Sequence, residues 1–126
     1  MPLVRIDVRK RPDAGFAQRV GKVVYESLKS TMNVPDQDNF QVLSESDDQH
    51  LVYDPSYLGI ARTDEVVFIQ ITLNEGRTLE QKKALYRSLA DGLEKLEVRR
   101  QDVLVNLVEV KKENWSFGNG IAQYAG

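Results

Sequence analysis

Cysteine is absent from this chain, and that absence alone excludes disulfides, thiolate nucleophiles and thiolate metal ligands. Histidine is scarce too. His50 stands alone at the end of the polar run Ser44-Glu45-Ser46-Asp47-Asp48-Gln49 and reads as a solvated loop residue. No second histidine exists to build an imidazole metal centre, and no nucleophile elbow supports a serine–histidine triad. Phosphate-cradling glycine patterns are missing, since Gly118-Asn119-Gly120 by itself is too short to form one. No stretch approaches the roughly 20 apolar residues that span a bilayer, and the N-terminus lacks a signal-peptide layout. Charge of one sign is lacking as well. Seventeen basic against 19 acidic residues leave a net charge of −2, without the basic footprint that nucleic acid requires. What is present is 126 residues, 41% hydrophobic and 29% charged. That is one ordinary globular domain, 1–126, able to bury about two-thirds of its unfolded surface. A cytoplasmic protein is expected, acting without cofactor or metal.

The apolar residues set out a repeated pattern. Leu3 to Val8 alternates, with Val4, Ile6 and Val8 on one face, as in a half-buried strand. After Asp13, residues Phe16, Val20, Val23, Val24, Leu28 and Met32 recur at steps of three and four, predicting a helix with one apolar stripe. Pro35 is expected to end it. Phe40 to Leu43 predicts a short second strand, and 44–64 a long polar loop with about one helical turn. Val66 to Leu73 is rich in β-branched and aromatic residues, the clearest strand signal in the chain. Thr78 with Gln81 three residues later is a capping-box signature, opening a helix that buries Leu85, Leu89, Leu93 and Leu96. Val103 to Val110 predicts the last strand, and an aromatic, glycine-rich tail follows over 111–126.

Both halves are therefore strand–helix–strand, as pseudo-repeats over about 2–46 and 66–110. Val34-Pro35-Asp36-Gln37-Asp38 matches Val98-Arg99-Arg100-Gln101-Asp102 at an offset of 64, and Ile6 and Val8 match Ile71 and Leu73 at 65. The pattern implies duplication with parallel pairing inside each half. The expected fold is an α/β (α+β) β-α-β duplication: a four-stranded sheet with two helices on one face. Its other face needs a cover, for which subunit association is the simplest means.

The chain begins Met1-Pro2. A proline is tolerated at the first residue of a strand, which is a sufficient structural reason for it. If Met1 is removed, Pro2 instead becomes a secondary amine titrating near the ordinary α-amino range of about 7.7–8.0. An apolar pocket, or a cation such as Arg77, would lower that value by penalising the charged form. The fixed ring would also hold the lone pair in one direction.

Four motifs in order carry a resemblance: Pro2-Leu3-Val4-Arg5-Ile6-Asp7, Asp38-Asn39-Phe40-Gln41, Gly76-Arg77-Thr78-Leu79-Glu80 and Trp115-Ser116-Phe117-Gly118-Asn119-Gly120. Together they resemble the tautomerase superfamily and, within it, the malonate semialdehyde decarboxylase family, from residue 2 to about 124. The resemblance implies a homotrimeric enzyme using its N-terminal proline on small oxo acids, by keto–enol tautomerisation, by decarboxylation, or both. It implies catalytic roles for Pro2, Asp38 and Arg77, with Arg77, Trp115 and Phe117 binding substrate. Each residue also has a plainer reading: Arg77 as a surface cation, Asp38 as a turn acid like Asp102, and Trp115 and Phe117 as packing at a subunit contact. Some decarboxylases of this family carry a second arginine two residues before the one matched by Arg77, where this chain has Glu75. The rival expectation is a non-catalytic trimeric ligand-binding or assembly domain of the same fold, with Pro2 idle. No nucleic-acid or membrane partner is expected.

Overall fold

The computed structural model describes residues 2–125; the removal of Met1 on which the amine reading of Pro2 depends concerns a residue outside that range. The elements run β1 (Leu3–Arg9), α1 (Phe16–Met32), β2 (Phe40–Ser46), β3 (Val67–Asn74), α2 (Leu79–Glu94) and β4 (Val103–Val110). Short 3-10 turns lie at Tyr57–Gly59, Arg100–Asp102 and Lys112–Asn114. The strand order is β2-β1-β3-β4. Pairing is parallel within each half and antiparallel between β1 and β3, where the halves meet. The expected duplicated, four-stranded architecture is therefore the observed one.

Alternation decides which side of the sheet is covered. Val4, Ile6 and Val8 join Val67, Ile69, Ile71 and Leu73 in one core with Val20, Val24, Leu28 and Met32 of α1 and Leu85, Leu89 and Leu93 of α2. The predicted stripe on α1 is thus the buried one, with its Val23 only partly buried, while Leu96, expected on the second helix, lies just past the end of α2 and packs against the core partly buried. The helices also touch directly, through a hydrogen bond from the Ser88 hydroxyl to Ser27 Oγ at 2.8 Å. Across the sheet, Leu3, Phe40, Val42, Leu104 and Val108 stand exposed on the face without helices, with a Gln70–Asn106 side-chain hydrogen bond among them.

Three boundaries differ from expectation. α1 stops at Met32, because Asn33 takes a left-handed conformation (φ 57°) and donates its N–H to the Leu28 carbonyl. Asparagine tolerates that conformation, so the helix is closed before Pro35 can act. β2 continues past Leu43 to Ser46, since Asp7, Val8 and Arg9 of β1 offer it a parallel partner as far as the strand lasts. β3 begins one residue later than expected and extends to Asn74. The capping box is formed as expected, with Thr78 Oγ1 accepting from the Gln81 N–H and Gln81 Oε1 accepting from the Thr78 N–H.

Candidate active site

Strand register brings the sequence-selected residues to one end of the sheet. Leu3 lies opposite Phe40 in the parallel pair and opposite Thr72 in the antiparallel one. The start of β1, which Pro2 precedes, therefore sits between the start of β2 and the end of β3. Asp38 lies two residues before Phe40, and Arg77 three residues after Asn74 ends β3. β4 finishes beside β3, with Asn74 paired to Val110, and the turn at Lys112–Asn114 carries the tail back to the same end.

Pro2 is buried. It lines a cavity of about 190 Å³ with Leu3, Phe40, Trp115, Ser116 and Phe117. The tail wall is ordered by ring packing: Trp115 and Phe117 stack at 5.4 Å between centroids, and Tyr124 meets Phe117 edge-on at 4.9 Å. A local loop closes behind them, the Phe117 N–H donating to Gln123 Oε1 and Gln123 Nε2 donating to the Gly118 carbonyl. Gly118 and Gly120 have φ of 133° and 68°, a backbone that a side chain would strain. The glycines of the Trp-Ser-Phe-Gly-Asn-Gly motif thus shape the aromatic wall.

Arg77 is half-buried and does not itself line this cavity. Its Nη1 donates to the Asn74 carbonyl at 3.0 Å and its Nη2 to the Met32 carbonyl at 3.5 Å. The guanidinium thus caps the C-terminal end of α1, where a cation is favoured. That supplies a structural reason for an arginine just before α2, where the helix dipole disfavours a cation. Asn74 makes a second link, its Oδ1 accepting from the Trp115 indole N–H at 2.8 Å.

Asp38 is half-buried, with one carboxylate oxygen wholly buried, and its N–H donates to the Pro35 carbonyl at 3.3 Å. The repeat-mate Asp102 also donates its N–H to the carbonyl three residues back, that of Arg99, but from a 3-10 turn, whereas Gln37 before Asp38 is left-handed (φ 68°). The Asp102 carboxylate is fully committed, accepting from the Thr63 N–H (2.7 Å) and hydroxyl (2.6 Å). The two halves share this backbone bond, while the turns and the surroundings of the two acids differ. Glu75 is exposed and lies outside the cavity lining, with its N–H donating to the Val110 carbonyl. The Glu109 carboxylate borders the Arg77 turn. It is held below the usual carboxylate range chiefly by its 2.6 Å bond to Lys82, with the Gly76 N–H and the charge of Arg77 adding to this. His50 is exposed, as expected, with Nδ1 2.6 Å from Asp47.

Sequence reasoning did not single out Leu3, Phe40 and Ser116 as lining residues, nor Asn74. The available signal for Asn74 was a polar residue closing the apolar run Val67-Phe68-Ile69-Gln70-Ile71-Thr72-Leu73. A larger groove, about 870 Å³, follows the seam of α1 and α2 but shares no residue with the Pro2 cavity. Its Arg19, Lys22, Glu26, Arg87 and Asp91 present mixed charge rather than one binding polarity. Size does not mark the site here; convergence of strand ends does.

A sequence model of the tautomerase enzyme family matches residues 38–118. The chain belongs to this family and is an enzyme of the tautomerase superfamily. Among curated proteins it is 43% identical to the probable tautomerase YusQ of Bacillus subtilis (strain 168), over 98% of both chains. It is 32% identical to the probable tautomerase YrdN of the same organism, over 98% of this chain and 96% of that one. Among solved structures, a malonate semialdehyde decarboxylase inhibited by 3-bromopropiolate superposes with a TM-score of 0.92 at 29% identity, covering 98% of this chain and 94% of that one. No helix among the described residues is long and apolar enough to cross a membrane.

Proposed function

We propose that the protein is a Pro2-dependent enzyme acting on small oxo acids, related in chemistry to malonate semialdehyde decarboxylase. The observation that carries this is the burial of Pro2 in a cavity walled by Trp115, Phe117, Phe40 and Leu3. With Met1 removed, an amine in such a place would be favoured as the free base, because poorly hydrated surroundings penalise its protonated form. Two similarities support the reading. The 29%-identical decarboxylase is inhibited by a three-carbon carboxylate, 3-bromopropiolate. Another solved malonate semialdehyde decarboxylase, also 29% identical, was determined both as wild type and with its first residue, a proline, changed to alanine.

In this reading Arg77 draws the substrate carboxylate through charge while its own position is fixed by the Asn74 and Met32 carbonyls. Neutral Pro2 takes a proton from the carbon beside the carbonyl and delivers it to the enolate oxygen so formed, or in reverse takes the enol hydroxyl proton and delivers it to carbon, giving tautomerisation. Protonated Pro2 can instead polarise a 3-oxo group, so that the carboxylate carbon leaves as CO₂ and its bonding electrons form the enolate. Asp38 passes or places protons beside the amine. The apolar wall excludes water and strengthens each charge interaction. No metal or cofactor takes part. Glu75 in place of a second arginine favours substrates needing one cationic contact. A homotrimer covers the open face bearing Leu3, Phe40, Val42, Leu104 and Val108; a fused 4-OT of the same fold (TM-score 0.79, 21% identity) is described as a symmetric trimer.

The test compares wild type with Pro2→Ala on phenylenolpyruvate and on malonate semialdehyde. Loss of most turnover in the variant is expected. Activity rising with pH through the Pro2 titration identifies the base route, and falling activity the acid route. Equal rates in both proteins would retire the Pro2 mechanism.

A further inference from the structure

The geometry points to Asn74 as a positioning residue, one that aligns the aromatic wall with the arginine across the mouth of the site; this rests on the reading that Pro2, Arg77 and Trp115 form one site. Asn74 is one of three buried polar or charged residues among those described, with Ser27 and Asp102, and is 7% exposed. Ser27 and Asp102 serve packing contacts: Ser27 joins the two helices, and Asp102 holds Thr63. Asn74 instead addresses two site residues. Its carbonyl receives the Arg77 guanidinium at 3.0 Å, and its side-chain oxygen receives the Trp115 indole N–H at 2.8 Å. One residue thereby fixes the cation and the wall to a common point at the end of β3.

A rigid element is what makes such an arrangement useful. Asn74 is the last residue of the central strand β3 and is held in register with Val110. Trp115, by contrast, lies in a tail of turns whose last residues are exposed. Its face is set by two things, stacking on Phe117 and the indole bond to Asn74. Stacking alone leaves a ring free to slide in its own plane, whereas a directional hydrogen bond does not. Without that bond the wall over Pro2 loses its fixed position, water gains entry, and the amine becomes easier to protonate.

The chain has a single tryptophan, so the link can be read without activity. In wild type, the one indole N–H resonance should exchange with solvent at least ten times more slowly than that of a free indole. Asn74→Leu keeps the branched heavy-atom shape, at somewhat larger volume, but removes the acceptor. It should shift the emission of Trp115, raise its quenching by acrylamide, lower kcat/KM on phenylenolpyruvate about tenfold, and move the limb of the pH profile that reports Pro2 to higher pH. Asn74→Asp retains an acceptor oxygen and should restore the wild-type emission. The decisive step is a double-mutant cycle. In a Trp115→Phe background, which keeps the wall but has no indole N–H, Asn74→Leu should cost less than twofold.

Additive losses in the cycle, or an indole proton exchanging as fast as free indole in wild type, would overturn the proposal. The exchange measurement needs no variant, so misfolding of Asn74→Leu cannot shelter the idea. Should Pro2→Ala prove fully active, the fluorescence and exchange results still judge the Asn74–Trp115 link separately.

Discussion

Arg77 has two duties in this account, and substitution can separate them. Removing its side chain in Arg77→Ala deletes a guanidinium bond of good length to the Asn74 carbonyl and a marginal one, at 3.5 Å, to Met32. A hydrogen bond from a charged donor contributes about 1.5–3 kcal/mol, and a half-exposed, overlong one far less. The sum is about 2 kcal/mol. For a domain between the 100- and 150-residue classes, that corresponds to a fall in Tm of roughly 6–10 °C. Arg77→Lys keeps the charge but presents a single flexible ammonium, so it should recover no more than about half of that loss. The catalytic duty is measured by comparing an oxo acid with its methyl ester. Arg77→Ala should weaken kcat/KM for the acid by about 100-fold, equivalent to about 2.7 kcal/mol, and for the ester by much less. Thermal denaturation and steady-state kinetics on the same preparations read both quantities. A Tm within 1 °C of wild type would refute the carbonyl bonding. An equal loss on acid and ester would refute recognition of the carboxylate.

Gly92 should resist the usual stabilisation by alanine: a Cβ there would meet Val23 Cγ1 at 2.6 Å, and a β-branched valine in a helix has little rotamer freedom to yield. Gly92→Ala should therefore destabilise by about 1 kcal/mol despite a helix-propensity gain of about the same size, whereas combined with Val23→Ala it should stabilise relative to Val23→Ala alone; urea midpoints showing a gain in both backgrounds would count against this packing. Glu109 predicts a pH effect. Because Lys82 holds its carboxyl below the usual range, its contribution to stability is present above the unfolded-state value and fades as pH falls through the folded one. Glu109→Gln and Lys82→Met should each flatten the dependence of the urea midpoint on pH over that acidic window, and unchanged slopes would show the pair to be idle.

The fold was legible where periodicity is strong and the residues are apolar. Val4-Ile6-Val8 and the α1 stripe announced their faces, Val103–Val110 announced a strand, and the Thr78–Gln81 pair announced a helix start. Legibility failed where a tertiary partner supplies the order. Ser44-Glu45-Ser46 carries no strand signal, yet it is a strand because β1 runs beside it. Asn33 ended α1 through a left-handed backbone that composition does not encode, while Pro35 drew the attention. The site divides in the same way. Pro2, Trp115 and Phe117 could be placed together by resemblance, and they share one cavity. Leu3 and Phe40 complete it only because the register sets them opposite each other. Arg77 read as a substrate-binding residue or a surface cation, but its bond to a helix-end carbonyl spans 45 positions, a contact no local pattern contains.

The central claim concerns one nitrogen. The chain has four prolines, of which Pro12, Pro35 and Pro55 are internal amides, so ¹⁵N-proline labelling followed by an NMR titration isolates Pro2. The account predicts one amine resonance whose shift titrates below the ordinary α-amino range of about 7.7–8.0. Four amide-type signals, none moving with pH, would contradict it.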